Sequence, residues 1–201
     1  MNTFSFTDDQ LRTISLRPVV MYGELEFRAW GRIVNSYLSQ TTGTYLRLKC
    51  GNAQMEYAYV GNVAWGFVCA ENVLLKNDER AKTASGQCFF IGDDSPKKAL
   101  FDFMAPFLKD LGLKPLPMEV PLFLIIYPLW LLYIILGLVS YVYKVNLPYG
   151  IAAFSVIRKT FLFQYNKATD YLSYKPLYSY AESKRRTVKF FSGAQGKKMT
   201  W

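Results

Sequence analysis

Histidine is absent from all 201 residues. Ser-His-Asp and Cys-His nucleophilic mechanisms, and nearly all zinc catalysis, therefore have no imidazole to use. What remains is Tyr, Lys, Asp and Glu chemistry, or none in this chain. Cysteine is scarce. Cys50, Cys69 and Cys88 are odd in number and never form a close pair, so neither a disulfide framework nor a thiolate metal site is suggested, and buried free thiols are expected. No signal peptide is read at the start, because Met1 to Gln10 is polar and acidic rather than a basic patch followed by an apolar run. A glycine-rich dinucleotide turn, Gly-x-x-Gly-x-x-Gly, is also missing.

What is present is a folded protein's composition with extra apolar surface: 51% hydrophobic, 17% aromatic and 19% charged residues, in a length with room for one ordinary domain. The net charge is +9, which would fit contact with nucleic acid or an anionic membrane surface. Its densest cluster, Lys184, Arg185, Arg186, Lys189, Lys197 and Lys198, is by itself the pattern of a solvated helix face.

Leu11 to Arg17 alternates apolar and polar residues and runs into Pro18-Val19-Val20-Met21-Tyr22-Gly23, which predicts a buried strand ending in a loop. Phe27, Trp30, Val34, Tyr37 and Leu38 recur at helical spacing. Tyr45 to Lys49 alternates, Gly51-Asn52 supplies a turn and Met55 to Val60 can return, so a hairpin is expected. Gly61-Asn62 opens a helix carrying Val63, Phe67, Ala70, Leu74 and Leu75, which fades in Lys76 to Lys82, and Asn62 is expected to cap it. Gln87 to Ile91 suits a short buried strand. Ser95 and Pro96 then look like the cap and first position of a helix with Leu100, Phe103, Met104, Phe107, Leu108 and Leu111 on its apolar face, bent at Pro106 and ended by Gly112. Ser179 and Glu182 have capping-box spacing for a last, basic helix ending near Phe191. Ser192 to Trp201 reads as a frayed tail.

Between Val120 and Tyr143 there is no charged residue, and about 20 apolar residues in a helix span a bilayer. A membrane segment is expected, with Pro121 at its start and a kink or break at Pro128.

Three segments in fixed order carry a family resemblance: Leu16-Arg17-Pro18 with Met21-Tyr22-Gly23-Glu24, then Tyr59-Val60-Gly61-Asn62-Val63-Ala64-Trp65, then Phe90-Ile91-Gly92-Asp93-Asp94-Ser95-Pro96. Together they resemble the extended short-chain dehydrogenases. The Tyr59 to Trp65 run, with Tyr174-Lys175-Pro176-Leu177-Tyr178-Ser179, is similar to the 3β-hydroxysteroid dehydrogenase/Δ5-isomerase branch. The likeness extends from about Leu11 to Phe191. It implies an α/β fold: the C-terminal part of an extended Rossmann-type dehydrogenase with the last sheet strands, a substrate-binding subdomain and a long apolar membrane-associated helix. Residues 1–117 would be the end of the NAD-binding domain with interleaved substrate elements, 118–144 the membrane segment, 145–191 the rest of the substrate region and 192–201 a tail.

The resemblance also implies NAD as cofactor and a steroid or sterol as substrate. A Tyr and a Lys of a helical Tyr-x-x-x-Lys would drive hydride transfer, with double-bond isomerisation to follow. No catalytic residue is assigned here. Tyr45 and Lys49 have the spacing, but they lie in an alternating strand, where it gives no shared helix face. Pro18, Val19 and Val20 are implied as the loop approaching the nicotinamide, and Tyr22 and Glu24 as the border of the sterol pocket. Pro18 also serves as a strand terminator, and Tyr22 and Glu24 fit turn or surface roles equally. The chain is therefore expected to be a truncated piece, inactive alone, whose sheet keeps two strands and leaves one face of Leu11 to Arg17 without neighbours. It would associate with the endoplasmic reticulum or mitochondrial membrane through lipid contact, bind no nucleic acid and be compatible with a homo-oligomer. The rival reading is a non-catalytic sterol- or membrane-binding remnant that regulates a full-length relative.

Overall fold

Alternation after Gln10 builds the central strand. The computed structural model describes residues 2–7, 10–40, 42–49, 51, 53–76, 78–139 and 157–193. Its elements in chain order are β1 (Asn2–Thr7), β2 (Gln10–Pro18), β3 (Val20–Tyr22), α1 (Trp30–Leu38), β4 (Thr44–Lys49), β5 (Tyr57–Tyr59), α2 (Val60–Leu75), α3 (Glu79–Ala84), β6 (Cys88–Ile91), α4 (Leu100–Asp110), β7 (Lys114–Pro121), α5 (Phe123–Val139), α6 (Asn166–Leu172) and α7 (Tyr180–Ser192).

Among the described residues three small sheets form, in the orders β1-β2-β6, β3-β5 and β4-β7. Strands β2 and β6 are parallel, with Ser15 opposite Cys88 and Pro18 opposite Ile91. Strand β1 runs antiparallel to β2, from Asn2 opposite Ser15 to Thr7 opposite Gln10. This corrects the expected two-stranded remnant: β2 has a neighbour on both sides. Strands β3 and β5 are parallel, as are β4 and β7.

The expected hairpin of Tyr45 to Lys49 with Met55 to Val60 does not form. The turn residues between them are local, whereas the partners are distant: β4 takes β7, and β5 takes β3. Tyr45 is a buried strand aromatic and Lys49 is exposed, so their four-residue spacing joins no helix face. Pro115, Pro117 and Pro121 give β7 three positions with no N–H for an added strand.

Two cores result. In the first, Ile14 and Leu16 of β2 and Phe89 and Ile91 of β6 meet Val63, Ala70, Val73 and Leu74 of α2. Gly66 lets that helix close on the sheet, since a Cβ there would already stand 3.3 Å from Ile91. Each fully buried Leu, Ile or Phe side chain contributes about 1.5–3 kcal/mol. The second core is aromatic: Tyr22, Trp30, Tyr57, Phe103, Phe107 and Phe191 are all 1% exposed or less. Within it, Tyr57 stacks on Phe103 at 3.7 Å between ring centroids.

Several local expectations are corrected. Helix α4 begins at Leu100 after Ala99, with no side-chain cap, because the Ser95 hydroxyl is engaged by Tyr22. Asn62 lies inside α2, whose N-cap is Tyr59. Pro121 ends β7 instead of starting a helix, and Pro128 sits within an unbroken α5. Helix α3 forms inside the charged stretch because Asp78 accepts the Ala81 N–H at 2.9 Å. Among the described residues, Cys69 is a buried free thiol and Cys88 is an exposed one. Cys50, Leu147 to Gly150 and the end of the tail lie outside the described residues.

The cap of the last helix forms as expected, with Ser179 Oγ accepting the Glu182 N–H at 3.5 Å. Among the described residues, no helix is long and apolar enough to cross a membrane.

Candidate functional site at the carboxyl ends of the parallel strands

The chain changes sheets at Val19. Its N–H donates to Ile91 O in β6 at 3.2 Å, and the next N–H, of Val20, donates to Glu56 O at 3.3 Å. Two consecutive peptides are thus tied to two different sheets. The segment Pro18 to Val20, which is the end of β2, the linking Val19 and the start of β3, is fixed where parallel strands β2 and β6 end, the position at which open α/β sheets bind ligands. Pro18 is exposed, while Val19 and Val20 are half-buried, so the loop presents an apolar surface with its donors already used.

The other lip of this crevice follows β6. Asp93 is 4% exposed, and its carboxylate is saturated. Oδ2 accepts the Tyr59 N–H at 2.8 Å and Asn62 Nδ2 at 2.9 Å, and Oδ1 accepts the Ser95 N–H at 2.9 Å. Asn62 reaches further. Its Nδ2 donates to Tyr178 O at 2.9 Å and its Oδ1 accepts the Tyr178 N–H at 2.8 Å, which assigns the amide orientation unambiguously. The expected capping residue is therefore a cross-link between α2, the end of β6 and the entry to α7. Tyr174 adds a second tie, donating its hydroxyl to Gly92 O at 2.9 Å.

Tyr22 stands in the aromatic core with no exposed surface. Its hydroxyl meets Ser95 Oγ at 2.9 Å. Burial pushes the phenol far above its ordinary value; the Ser95 bond opposes the shift and the Asp93 charge adds to it. The side chain presents no accessible surface.

Glu24 is half-buried beside Tyr59. The Tyr59 ring fits between two glycines: a Cβ at Gly23 would lie 2.9 Å from it, and one at Gly61 2.6 Å. Burial and the hydrogen bond to Glu24 raise the Tyr59 phenol strongly, and Arg186 opposes them. Arg186 also lies 4.4 Å over the Tyr178 ring and bonds Glu182 at 2.7 Å. Arg185 and Arg186 hold the Glu182 carboxyl down to about 2.

Sequence reasoning had Pro18, Val19 and Val20 at this crevice. Tyr22 bonds Ser95 after β6, and Glu24 bonds Tyr59 at the start of α2. Asp93 and Tyr174 were quoted in motifs and Arg186 in the basic cluster, none with a site role, and Glu56 was not named. Chemically, the described residues make a rigid wall. Asp93 has donors on both oxygens, and the phenols of Tyr22, Tyr59 and Tyr174 are all held protonated.

Solved structures share this fold. The dTDP-glucose 4,6-dehydratase DesIV from Streptomyces venezuelae, solved with NAD bound, shares the fold at a TM-score of 0.56 with 16% identity, over 91% of this chain and 44% of that one. A UDP-galactose 4-epimerase gives 0.54 with 13% identity, over 89% and 45%. In sequence, 3 beta-hydroxysteroid dehydrogenase type 7 of Mus musculus is 31% identical over 200 residues, covering 92% of this chain and 50% of that protein. The Homo sapiens protein of the same name is 32% identical over 195 residues, with the same coverage. The chain thus spans about half the length of these relatives. The 3-beta hydroxysteroid dehydrogenase/isomerase family matches residues 2–122, more than half of the chain, and the chain belongs to that family.

Proposed function

We propose that this chain is the sterol-facing C-terminal part of an NAD-dependent 3β-hydroxysteroid dehydrogenase, with an accompanying Δ5-Δ4 isomerase activity. The carrying observation is the doubly anchored Pro18 to Val20 loop at the carboxyl ends of β2 and β6. Its residues fit one end of the cofactor: an apolar, immobilised surface suits the flat nicotinamide ring, whereas no glycine-rich turn is present to cradle the pyrophosphate. NAD would supply the hydride acceptor. The chain's own residues would hold the ring and exclude water, with Tyr22 and Glu24 setting the rear of the sterol pocket through Ser95 and Tyr59. The proton-transferring Tyr and Lys would come from outside this chain.

Helix α5 supports membrane association. It carries no charge, and Phe123, Leu124, Tyr127, Trp130 and Leu131 are all more than half exposed. A contiguous apolar surface of this kind marks a lipid or protein contact, and we place the helix in the interface or one leaflet of the endoplasmic reticulum or mitochondrial membrane.

The test is direct. The gene's longest product, purified from its own cells, should reduce NAD with a 3β-hydroxysterol, and residues 1–201 alone should give no turnover. Absence of sterol-dependent NADH formation by the longest product refutes the dehydrogenase reading. One observation favours the rival reading of a sterol- or membrane-binding regulator: β1 already fills the edge of β2, where another sheet strand would otherwise pair.

A further inference from the structure

Glu56 is a buried acid that the proposed chemistry does not use. Its side chain is 1% exposed. One oxygen, Oε2, accepts the Phe163 N–H at 2.7 Å. The other, Oε1, faces the half-exposed Lys97 ammonium at 3.0 Å, yet receives no directed hydrogen bond. A carboxylate this deep is costly unless it is paired and bonded. Its retention at this point calls for a positional role.

The backbone shows what it holds. Residues 160–163 run beside Gln54 to Glu56: Phe161 N–H donates to Gln54 O at 2.9 Å, and Glu56 N–H donates to Phe161 O at 3.2 Å. The Phe163 ring stacks on Phe90 of β6 at 4.4 Å. On the opposite flank, Glu56 O receives the Val20 N–H. One residue therefore touches the incoming 160–163 segment with its side chain and the proposed nicotinamide loop with its carbonyl.

We propose that Glu56 is a positioning residue for cofactor binding, which couples the placement of the 160–163 segment to that of the Val19-Val20 peptide. The inference rests on the NAD-dependent reading of the same crevice. Lys97 sets the charge balance. Loss of either partner turns the side chain at position 56, shifts the Phe161 to Phe163 backbone and loosens the Val20 N–H from its acceptor. Simultaneous neutralisation, Glu56→Gln with Lys97→Met, keeps an amide oxygen for Phe163 and leaves no unbalanced charge.

The experiment compares the wild-type longest product with Glu56→Gln, Lys97→Met and the double variant, reading three quantities: thermal midpoint, NAD Kd on the folded protein, and amide exchange at Val20 and Phe163 without cofactor. Each single variant should raise the NAD Kd by roughly ten- to hundredfold, the scale of a small misplacement at a binding loop. Exchange at Val20 should accelerate about tenfold or more as local opening becomes easier. The double variant should return to within about threefold of wild type, as neutral replacement of a buried pair permits. A lower midpoint in the single variants with unchanged NAD Kd and unchanged Val20 exchange overturns the proposal, leaving Glu56 a merely structural acid. A wild type that binds no NAD, in variants of which Val20 exchange still responds, sinks the cofactor reading and leaves the coupling standing.

Discussion

Replacing Asn62 by Asp tests the cross-link at its centre. The side chain is fully buried, and its Nδ2 serves both Asp93 Oδ2 at 2.9 Å and Tyr178 O at 2.9 Å. Asn62→Asp removes both donors and sets a second carboxyl group against Asp93. Each lost bond to a buried partner costs about 1–3 kcal/mol, and like charges in one buried site add to this, so the loss at pH 7 should be about 3–5 kcal/mol. For a chain of this size that lowers the thermal midpoint by about 6–20 °C. The introduced carboxyl keeps its proton to higher pH when folded than its ~3.9 in the unfolded chain. Its charge penalty is therefore absent below about pH 4 and grows as pH rises through the folded value. A smaller deficit persists in acid, because a carboxyl O–H can serve only one of the two acceptors. Asn62→Ala should lose about 2–4 kcal/mol with no such pH dependence. Denaturant melts from pH 4 to 8 read both variants. An Asn62→Asp protein as stable as wild type at pH 7, or an Asn62→Ala protein with the same pH slope, refutes the hydrogen-bond assignment.

Gly61→Ala should destabilise by about 1–3 kcal/mol through overpacking, because its methyl would stand 2.6 Å from the Tyr59 ring and 3.1 Å from Tyr178; a thermal melt matching wild type counts against the packing described. Tyr22, Tyr59 and Tyr174 are raised chiefly by burial. Their contribution is therefore present below the unfolded phenol value of about 10 and lost as pH rises past it. Tyrosinate absorbance should then lag for these three until the chain unfolds in base, and smooth titration of all tyrosines in the folded protein contradicts this. Leu131→Glu with Ile135→Glu, both on exposed positions of α5, should abolish co-flotation with lipid vesicles while far-UV circular dichroism stays unchanged. Persistent flotation would remove α5 as the lipid contact.

Alternation and periodicity report an element and its buried face, and they were sufficient for Ile14 and Leu16 in β2 and for Val63, Ala70 and Leu74 in α2. They do not report the partner. The Gly51-Asn52 turn between two strand-like runs is what a hairpin would show, yet β4 pairs with Lys114 to Pro121, a run whose prolines hide its strand character. Ser95 and Asn62 look like caps because capping is the local use of such side chains. Their actual partners, Tyr22, Asp93 and Tyr178, are distant in sequence, beyond the reach of any short window. The end of β2 at Pro18 was legible because alternation stops there and proline terminates strands. Its anchoring was not, since Ile91 O and Glu56 O have no side-chain signature.

The Asn62 to Tyr178 bonds also set an order of events in synthesis. Tyr178 and Tyr174 leave the ribosome after α5, so the apolar helix is in contact with its surroundings while the crevice is still open at the Asn62 side. Tyr174 and Tyr178 arrive later to tie α2 to the end of β6. The exposed apolar face of α5 is therefore made before the wall that Asn62 closes.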